Sequence, residues 1–488
     1  MCQLGEQALA FPWGDEAACY TGPVLRIPSA LVLVTVATAA PAAADRASYH
    51  ATGSGDVGVT DNVFQEQRGS QDVDLFFQIR PGFLLSYGLP RIIQDLAVEA
   101  EVTQYARHSE EASIAGRGSY NALFITGPRS EISISMNAGT GVLSAITART
   151  PPDQAVVELR PLGNIRYRDA SVTEYGSYIA TRELRLSQRL FARVSENEDN
   201  AEEIDPTTMN THVQSAEAGG AFSLSRQWRT SSVSLEAGAS VLRLERIAPP
   251  SSRQPSRLDR QVNPRGRAVY RRDFDRKFSG SIDGGFVYVI PYGTDPYNPT
   301  DTDRQRGLFP VAGVQFTYTD AWGLATAGLR RDVTPNLLIG QNTVNEGGLV
   351  AAALPLPWLD DNPRREPRLV GLGSIAVMRT RLVDPMTSDL QSSFGIGRVD
   401  IGVQYNARPW LAYTVRYELM IQTGDRDAAM PINGFVRNTL FFSFRLRYPE
   451  DIAAPVPKQR DQALRADGAD QLQGGEPVII DVLDGIGR

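Results

Sequence analysis

Residues 440–448 constrain the fold more than any other segment, because polar and apolar side chains alternate along them. Successive side chains of a β-strand point to opposite faces, so this segment presents two different surfaces. One face carries Leu440, Phe442, Phe444, Leu446 and Tyr448, and the other carries Phe441, Ser443, Arg445 and Arg447. A run of this length that ends on an aromatic residue is typical of a tilted transmembrane β-strand.

The segment before it repeats the pattern over residues 411–422. Its apolar face holds Leu411, Tyr413, Val415, Tyr417, Leu419 and Ile421, and its other face holds Ala412, Thr414, Arg416, Glu418, Met420 and Gln422. Two such strands in succession indicate a barrel wall with lipid outside and water inside. We therefore predict an all-β fold, a transmembrane antiparallel up-and-down β-barrel.

Composition excludes several other classes of protein. The chain has 488 residues, and outside residues 24–44 no stretch approaches the roughly 20 apolar residues of a membrane-spanning helix. The net charge of −7 argues against a nucleic-acid-binding protein. Cys2 and Cys19 are the only cysteines, and both precede the predicted mature chain. Disulfide bonds, thiolate metal sites and thiol catalysis are therefore not expected in the mature protein.

The N-terminal region contains an export signal. Arg26 is followed by an apolar run over 27–37 and by an alanine-rich stretch with an Ala-x-Ala site that ends at Ala44. This order of cation, apolar core and small residues is typical of a secretory signal peptide. We predict a leader over 1–44, with residues 1–23 a mis-assigned start and 24–44 the signal peptide. The barrel follows over 45–448, and a polar, disordered periplasmic tail over 449–488.

Turn positions predict the number of strands. Short turns are expected at 88–91, 127–130, 226–229, 273–276, 320–322 and 407–410, and less sharply near 168–172 and 357–366. If all of these turns lie at one end of the barrel, two strands and one long loop must separate each turn from the next. This rule predicts about 18 strands, an even number as in single-chain bacterial barrels. The sixth and seventh are expected at 155–167 and 173–194, where part of the chain alternatively folds inward as a constriction or plug.

The tryptophans of the predicted barrel all lie in these turns. Because tryptophan prefers the boundary between membrane and water, they are expected to form a periplasmic girdle. Its members are Trp228, Trp322, Trp358 and Trp410.

The predicted inward faces carry many charges. The basic residues are Arg185, Arg189, Arg193, Arg265, Arg267, Arg271, Arg416, Arg445 and Arg447, and the acidic ones are Asp95, Glu99, Glu101, Asp400 and Glu418. Two arrangements are open. Opposed basic and acidic walls would create a transverse field that selects polar or charged solutes. Alternatively, the charges pair with one another and keep the interior wet.

The sequence does not predict an enzyme, a metal site or a cofactor. His50, His108 and His212 are the only histidines and are far apart in the chain. Nucleophilic catalysis needs a base within hydrogen-bond reach of the nucleophile, and no Gly-x-Ser-x-Gly elbow is present.

Two further segments suggest binding partners. Eight arginines between 246 and 272 indicate either a patch for lipopolysaccharide phosphates or acidic glycans, or a solvated loop. The apolar run near the C-terminus, within 476–488, either adds as a strand to the sheet edge of a periplasmic partner or is an apolar terminus without a binding role.

Several motifs resemble the opening strands of large, porin-like outer-membrane barrels. They are Gly58-Val59-Thr60-Asp61-Asn62-Val63-Phe64, Ile79-Arg80-Pro81-Gly82-Phe83 and Gly88-Leu89-Pro90-Arg91, and the closing Arg437-Asn438-Thr439-Leu440-Phe441-Phe442 is similar as well. In particular, these motifs look similar to the barrels that accompany polysaccharide-export proteins in exopolysaccharide secretion. The long tail beyond Tyr448 departs from that pattern.

The resemblance implies a location in the outer membrane of a Gram-negative bacterium and a channel for polar or charged molecules. Within that role, an exopolysaccharide export conduit and a passive general porin are alternatives, and a plugged adhesive barrel that binds surface glycans is a third. The expected partners are outer-membrane lipid and lipopolysaccharide, the barrel-assembly machinery, and a periplasmic polysaccharide-export protein that binds residues 476–488.

Overall fold

The computed structural model describes most of the predicted barrel. The described residues are 47–63, 72–109, 112–143, 165–199, 212–247, 256–298, 305–320, 323–336, 341–356, 368–383, 390–408, 410–424 and 434–448. No helix in these ranges is long and apolar enough to cross a bilayer. The predicted leader at 1–44, the tail at 449–488 and the turn at 357–366 lie outside them.

Eighteen strands make up the described fold. They are β1 (Ala47–Thr60), β2 (Asp74–Leu89), β3 (Ile92–Tyr105), β4 (Ser113–Gly127), β5 (Ser130–Leu143), β6 (Ile165–Ile179), β7 (Leu184–Asp199), β8 (His212–Gln227), β9 (Ser231–Ile247), β10 (Arg257–Asp273), β11 (Phe278–Pro291), β12 (Gly307–Asp320), β13 (Gly323–Asn336), β14 (Gln341–Pro355), β15 (Leu369–Val383), β16 (Leu390–Arg408), β17 (Leu411–Thr423) and β18 (Phe435–Tyr448).

Each strand pairs antiparallel with the next, and β1 pairs with β18, so the sheet closes on itself. This confirms the predicted 18-stranded antiparallel barrel. In an up-and-down barrel, the connections after even-numbered strands share one end, which we call the short-turn end. The connections after odd-numbered strands share the other, the long-loop end. Ala47 and Tyr448 both lie at the short-turn end.

The two faces of the wall differ in polarity. On β2, Phe77, Ile79 and Phe83 are exposed, whereas the alternate side chains Gln78 and Arg80 are buried among polar neighbours. The same exposed apolar face continues around the barrel. It includes Val102 on β3, Leu190 on β7, Leu235 on β9, Ile282 on β11, Leu329 on β13, Val377 on β15, Ile401 on β16, Val415 on β17 and Phe442 on β18. We therefore assign this face as outward and the polar face as inward.

Inward side chains become more buried toward the long-loop end. On β18, Phe435, Arg437 and Thr439 are buried, whereas Ser443 is half-buried and Arg445 is exposed. The inward residues of β2, β3 and β10 follow the same order from one end to the other. The lumen is therefore an open vestibule at the short-turn end and is narrower toward the long-loop end.

An apolar cluster contributes to this narrowing on one side of the lumen. Val63, Phe76, Tyr105 and Phe441 pack together near the long-loop end. The rings of Phe76 and Phe441 meet edge-on with their centroids 5.5 Å apart. Gly58 lies beside Phe76, where a Cβ would overlap the ring, so glycine is needed for this close approach.

The tip of the β13–β14 hairpin leaves the barrel wall. Pairing between β12 and β13 ends at Ala312 and Arg331, but β13 and β14 stay paired as far as Asn336 and Gln341. Val344, which is fully buried, packs against the inward-facing Val289 and Phe309. The tip, residues 332–336 and 341–345, therefore lies inside the wall formed by β11 and β12.

The sequence prediction was wrong for the sixth and seventh strands. Residues 168–172, predicted as a turn, lie inside β6, and the turn falls at 180–183. There the Thr181 hydroxyl accepts hydrogen bonds from the backbone N–H groups of Glu183 and Leu184. Arg168 and Asp169 are polar, but strand residues carry polar side chains on both faces where the strand nears the long-loop end.

Candidate functional site: the charged lumen

A buried ion cluster joins the first three strands on the inner face. The Arg80 guanidinium contacts Asp56 through Nη1 and Oδ2 at 2.9 Å, and Glu101 through Nε and Oε2 at 2.7 Å. All three side chains are 10% exposed or less. One arginine thus bridges two carboxylates, which leaves this part of the wall with an excess of negative charge.

A second cluster lies on β16, β17 and β18. Arg398 binds Asp400 (Nε–Oδ2, 2.8 Å) and Glu418 (Nη2–Oε2, 2.6 Å). Arg437 approaches the other oxygen of Glu418 at 3.3 Å, and Arg416 lies 3.7 Å from Asp400. Three guanidiniums therefore surround two carboxylates, which gives this cluster an excess of positive charge.

The Arg416 guanidinium also stacks on an aromatic ring. Its central carbon lies 4.6 Å from the centroid of the Phe441 ring, within cation–π distance. The second cluster is thereby joined to the apolar cluster that narrows the lumen.

The inward arginines of β7 and β10 are also paired. Their acidic partners come from other strands: Glu131 for Arg185 (3.3 Å), Glu217 for Arg193 (3.1 Å), Glu236 for Arg265 (3.7 Å) and Asp283 for Arg267 (2.9 Å). The guanidiniums of Arg189 and Arg265 lie 5.6 and 5.8 Å from the centroid of the Phe191 ring. The charges are thus compensated locally along the wall.

The alternation places the predicted lumen residues on the inward faces of their strands. These are Asp95, Glu99 and Glu101 on β3, Arg185, Arg189 and Arg193 on β7, Arg265, Arg267 and Arg271 on β10, Asp400 on β16, Arg416 and Glu418 on β17, and Arg445 on β18. The side chain of Arg447 is outside the described part of the chain. Local pairing of charges, the second of the two arrangements considered, describes the contacts better than opposed walls of single sign.

Sequence reasoning missed two of the three residues of the first ion cluster and two of the five of the second, Arg398 and Arg437. Asp56 and Arg80, and the partners Glu217, Glu236 and Asp283, were not among the predicted lumen residues. The signal was present, because each stands next to an apolar residue of the opposite face, as Arg80 stands next to Ile79. The alternation of side chains along one strand does not reveal which residues of the adjacent strands stand opposite one another.

The short-turn end carries a partial aromatic girdle. Trp228 lies exposed at the β8–β9 turn with the Arg226 guanidinium 5.3 Å from its ring centroid. Trp410 meets Tyr448 edge-on at 6.1 Å. Trp322 and Trp358 lie outside the described residues. In a neighbouring turn, a hydrogen bond to Asp320 raises the pKa of Lys277.

The Arg-rich stretch 246–272 does not form a single loop patch. Residues from Arg257 onward belong to β10, whose arginines alternate between the two faces. Arg246 and Arg257 lie inward at the long-loop end, and Arg253 is outside the described residues. The stretch divides because successive strand residues point in opposite directions.

The three histidines lie at separate places. His50 Nε2 is 3.1 Å from Ser48 Oγ on the inner face of β1, His108 contacts Asp72 and Asp74 beside the long-loop end, and His212 contacts Glu196 on the outer face. Among the residues that the structure describes, no group of three or more His, Cys, Asp or Glu side chains is arranged to hold a metal ion.

No protein-family model matches the sequence, and no curated protein is similar to it. Among solved structures, the alcaligin outer-membrane receptor FauA of Bordetella pertussis is 12% identical, with a TM-score of 0.41 over 82% of this chain and 76% of that one. OccK9 (OpdG) of Pseudomonas aeruginosa is 10% identical, with a TM-score of 0.40 over 83% and 99%. The FrpB iron transporter of Neisseria meningitidis is 6% identical, with a TM-score of 0.43 over 82% of both chains.

The architecture itself defines the class of protein. A closed antiparallel barrel leaves no unpaired edge, and its outer face is apolar while its lumen is polar and charged. In a bilayer every backbone polar group must be paired internally, which closed barrels achieve. The chain is an outer-membrane β-barrel of a Gram-negative bacterium. In bacterial outer-membrane barrels the short turns lie on the periplasmic side, so we expect the short-turn end to face the periplasm and the long-loop end the cell exterior.

Proposed function

We propose that the protein is a channel that passes polar or charged molecules across the outer membrane. The observation that supports this most is the lumen, which is lined by ion clusters and opens into a polar vestibule at the periplasmic end. Barrels of 16 to 18 strands enclose an aqueous channel. Paired charges of both signs keep such a channel hydrated and give a permeant alternating donors and acceptors.

An export conduit for exopolysaccharide is the more specific form of this proposal. Two features favour it over a passive porin. The wide half of the lumen opens toward the periplasm, where an exported polymer would enter. Tyr448, after which the tail begins, lies at that same end. The resemblance of the opening and closing strands to export barrels also favours an export conduit over a passive porin.

The proposed partners follow from this orientation. A periplasmic polysaccharide-export protein would bind residues 476–488 by adding their apolar run to a sheet edge. The barrel-assembly machinery would insert the chain, and outer-membrane lipid would surround it. In this proposal the barrel acts as a passage without a catalytic step.

Conductance in planar bilayers tests the channel. Purified full-length protein is expected to give discrete steps in KCl, with partial block by soluble acidic polysaccharide added on the periplasmic side. Steps without block would favour a passive porin. A folded, heat-modifiable barrel with no conductance would contradict an open channel and favour the plugged adhesive barrel.

A further inference from the structure

Three arginines surround one glutamate on the outer face of β13, β14 and β15. Arg331 Nη1 lies 3.0 Å from Glu346 Oε1, and Arg381 Nη2 lies 3.1 Å from Glu346 Oε2. Arg379 is the register partner of Glu346 across the β14–β15 ladder, and its Nη2 donates to Ser393 Oγ at 3.2 Å. We call these four charged residues the Glu346 cluster. A single carboxylate opposes three guanidiniums, so the cluster is strongly cationic.

The register fixes the face on which the cluster lies. Arg331, Glu346 and Arg379 occupy one row across the three strands. Two residues nearer the short-turn end, the same face presents Leu329 and Val377, which are 64% and 61% exposed. The next outward row carries Val350 and Ile375, both more than half exposed. The row of Arg331, Glu346 and Arg379 therefore lies directly above the apolar belt, at the edge nearer the long-loop end, and Arg381 lies one row further, opposite Val344.

The cluster retains donor capacity. The Nε atoms of Arg331 and Arg381 are buried and have no hydrogen-bond partner among the described residues, whereas the two side chains as a whole are 33% and 29% exposed. Glu346 has two carboxylate oxygens, and each already contacts a nitrogen of one arginine. Each guanidinium has five N–H donors in a planar fork, so most donors here do not contact a carboxylate. An anion with several oxygens would satisfy those donors that are exposed.

We propose that the Glu346 cluster binds the phosphate groups of lipid A in the outer leaflet. At this height a lipid with its acyl chains along Val350, Ile375 and Val377 would place its phosphates beside the arginines. Guanidiniums bind phosphate bidentately, in short charge-assisted hydrogen bonds. This inference depends on the location of the barrel in the outer membrane and is independent of the proposed channel function.

A second outward cluster lacks the same charge excess and provides a control. On β6, β7 and β8, Arg168 Nη1 lies 3.2 Å from Glu196 Oε2, and His212 Nε2 lies 2.7 Å from Glu196 Oε1. One arginine and one histidine contact this glutamate, so the cluster lacks the three-to-one excess of guanidiniums over carboxylates of the Glu346 cluster. Arg168→Gln therefore removes an outward arginine at the same end of the barrel without touching the proposed site.

Binding of diphosphoryl lipid A to the detergent-solubilised full chain, followed by native mass spectrometry, tests the site. Arg331→Gln/Arg379→Gln/Arg381→Gln is expected to bind it at least about tenfold more weakly than the wild type, since several charge-assisted bonds are lost. Arg168→Gln is expected to bind as the wild type does. Glu346→Gln, which removes the competing carboxylate, is expected to bind more tightly. Heat modifiability on gels shows that each variant is folded.

Three results would overturn the proposal. Dephosphorylated lipid A that binds as well as the diphosphoryl form would show that the apolar belt alone holds the lipid. Equal losses in the triple variant and Arg168→Gln would show a non-specific charge effect. Full competition by millimolar inorganic phosphate would identify a site for free anions and not for lipid.

Discussion

Asn342 Nδ2 donates a 2.7 Å hydrogen bond to Gln261 Oε1, although β14 and β10 are separated by three strands in the barrel wall. Both residues lie near the long-loop end, and Gln261 is on the inner face of β10. The bond therefore crosses part of the lumen and attaches the β13–β14 tip to the inner face of β10. Together with the packing of Val344 on Val289 and Phe309, it makes the tip a constriction at the extracellular mouth.

Detaching this tip is expected to widen the channel. Val344→Asp places a carboxylate in an apolar cluster, where burial of an unpaired charge is costly, so the tip should leave its site. Single-channel conductance in planar bilayers should then rise above that of the wild type. Val269→Asp, which adds the same charge to the inner face of β10 in the vestibule half, is the matched control. Equal conductance in both variants would contradict a constriction at the tip.

The buried ion cluster of Asp56, Arg80 and Glu101 is expected to contribute strongly to the stability of the barrel. Arg80→Met leaves Asp56 and Glu101 buried without their cation, which typically costs about 3–5 kcal/mol. The triple variant Asp56→Asn/Arg80→Met/Glu101→Gln removes all three charges and should recover most of that loss. Urea unfolding of vesicle-reconstituted protein measures both. If the triple variant is as unstable as Arg80→Met, the loss has a cause other than uncompensated charge.

Charge reversal in the vestibule is expected to shift ion selectivity toward cations. Arg271 and Arg445 are inward and exposed in the short-turn half, so Arg271→Glu/Arg445→Glu should change the reversal potential under a salt gradient. The shift should shrink with added salt, because the Debye length falls from about 10 Å at 0.1 M to about 3 Å at 1 M. Arg226→Glu, at the same end but on the outer face, should leave the reversal potential unchanged.

Neighbouring residues of β18 are expected to differ sharply in their tolerance of charge. Phe442 is outward and 48% exposed to the lipid side, whereas Ser443 is inward. Phe442→Arg should lower the free energy of unfolding in vesicles by about 2–4 kcal/mol, and Ser443→Arg should have little effect. Equal effects would mean that the assigned faces of β18 are wrong.

Deletion of residues 476–488 is expected to leave the barrel folded while abolishing copurification of a periplasmic partner. The reason is that the deleted run is apolar and follows a polar tail attached at the periplasmic end. Affinity purification of the full-length and shortened chains from the native host measures the interaction, and heat modifiability reports folding. An unchanged set of copurifying proteins would contradict the prediction that the tail binds a partner.

Much of the wall was predictable because a barrel strand repeats one simple rule. The alternation in β2, β17 and β18 predicts their outward faces from local sequence, and the order of turns predicts an even number near 18. The rule failed at β6 and β7, because Arg168 and Asp169 fit equally a polar turn and a strand end. The inward charges were identifiable by parity, but their partners on other strands were not.

The sequence by itself determined the fold class and the polarity of the two faces of most strands, since both follow from side-chain alternation at period two, and it identified part of the lumen lining. Tertiary structure alone decided which charges meet and where the lumen narrows. Strand register brings Arg80 between Asp56 and Glu101, and places Arg331 and Arg379 beside Glu346. The inward position of the β13–β14 tip depends on packing against Val289 and Phe309, and contacts between residues so distant in the chain leave no local pattern in the sequence.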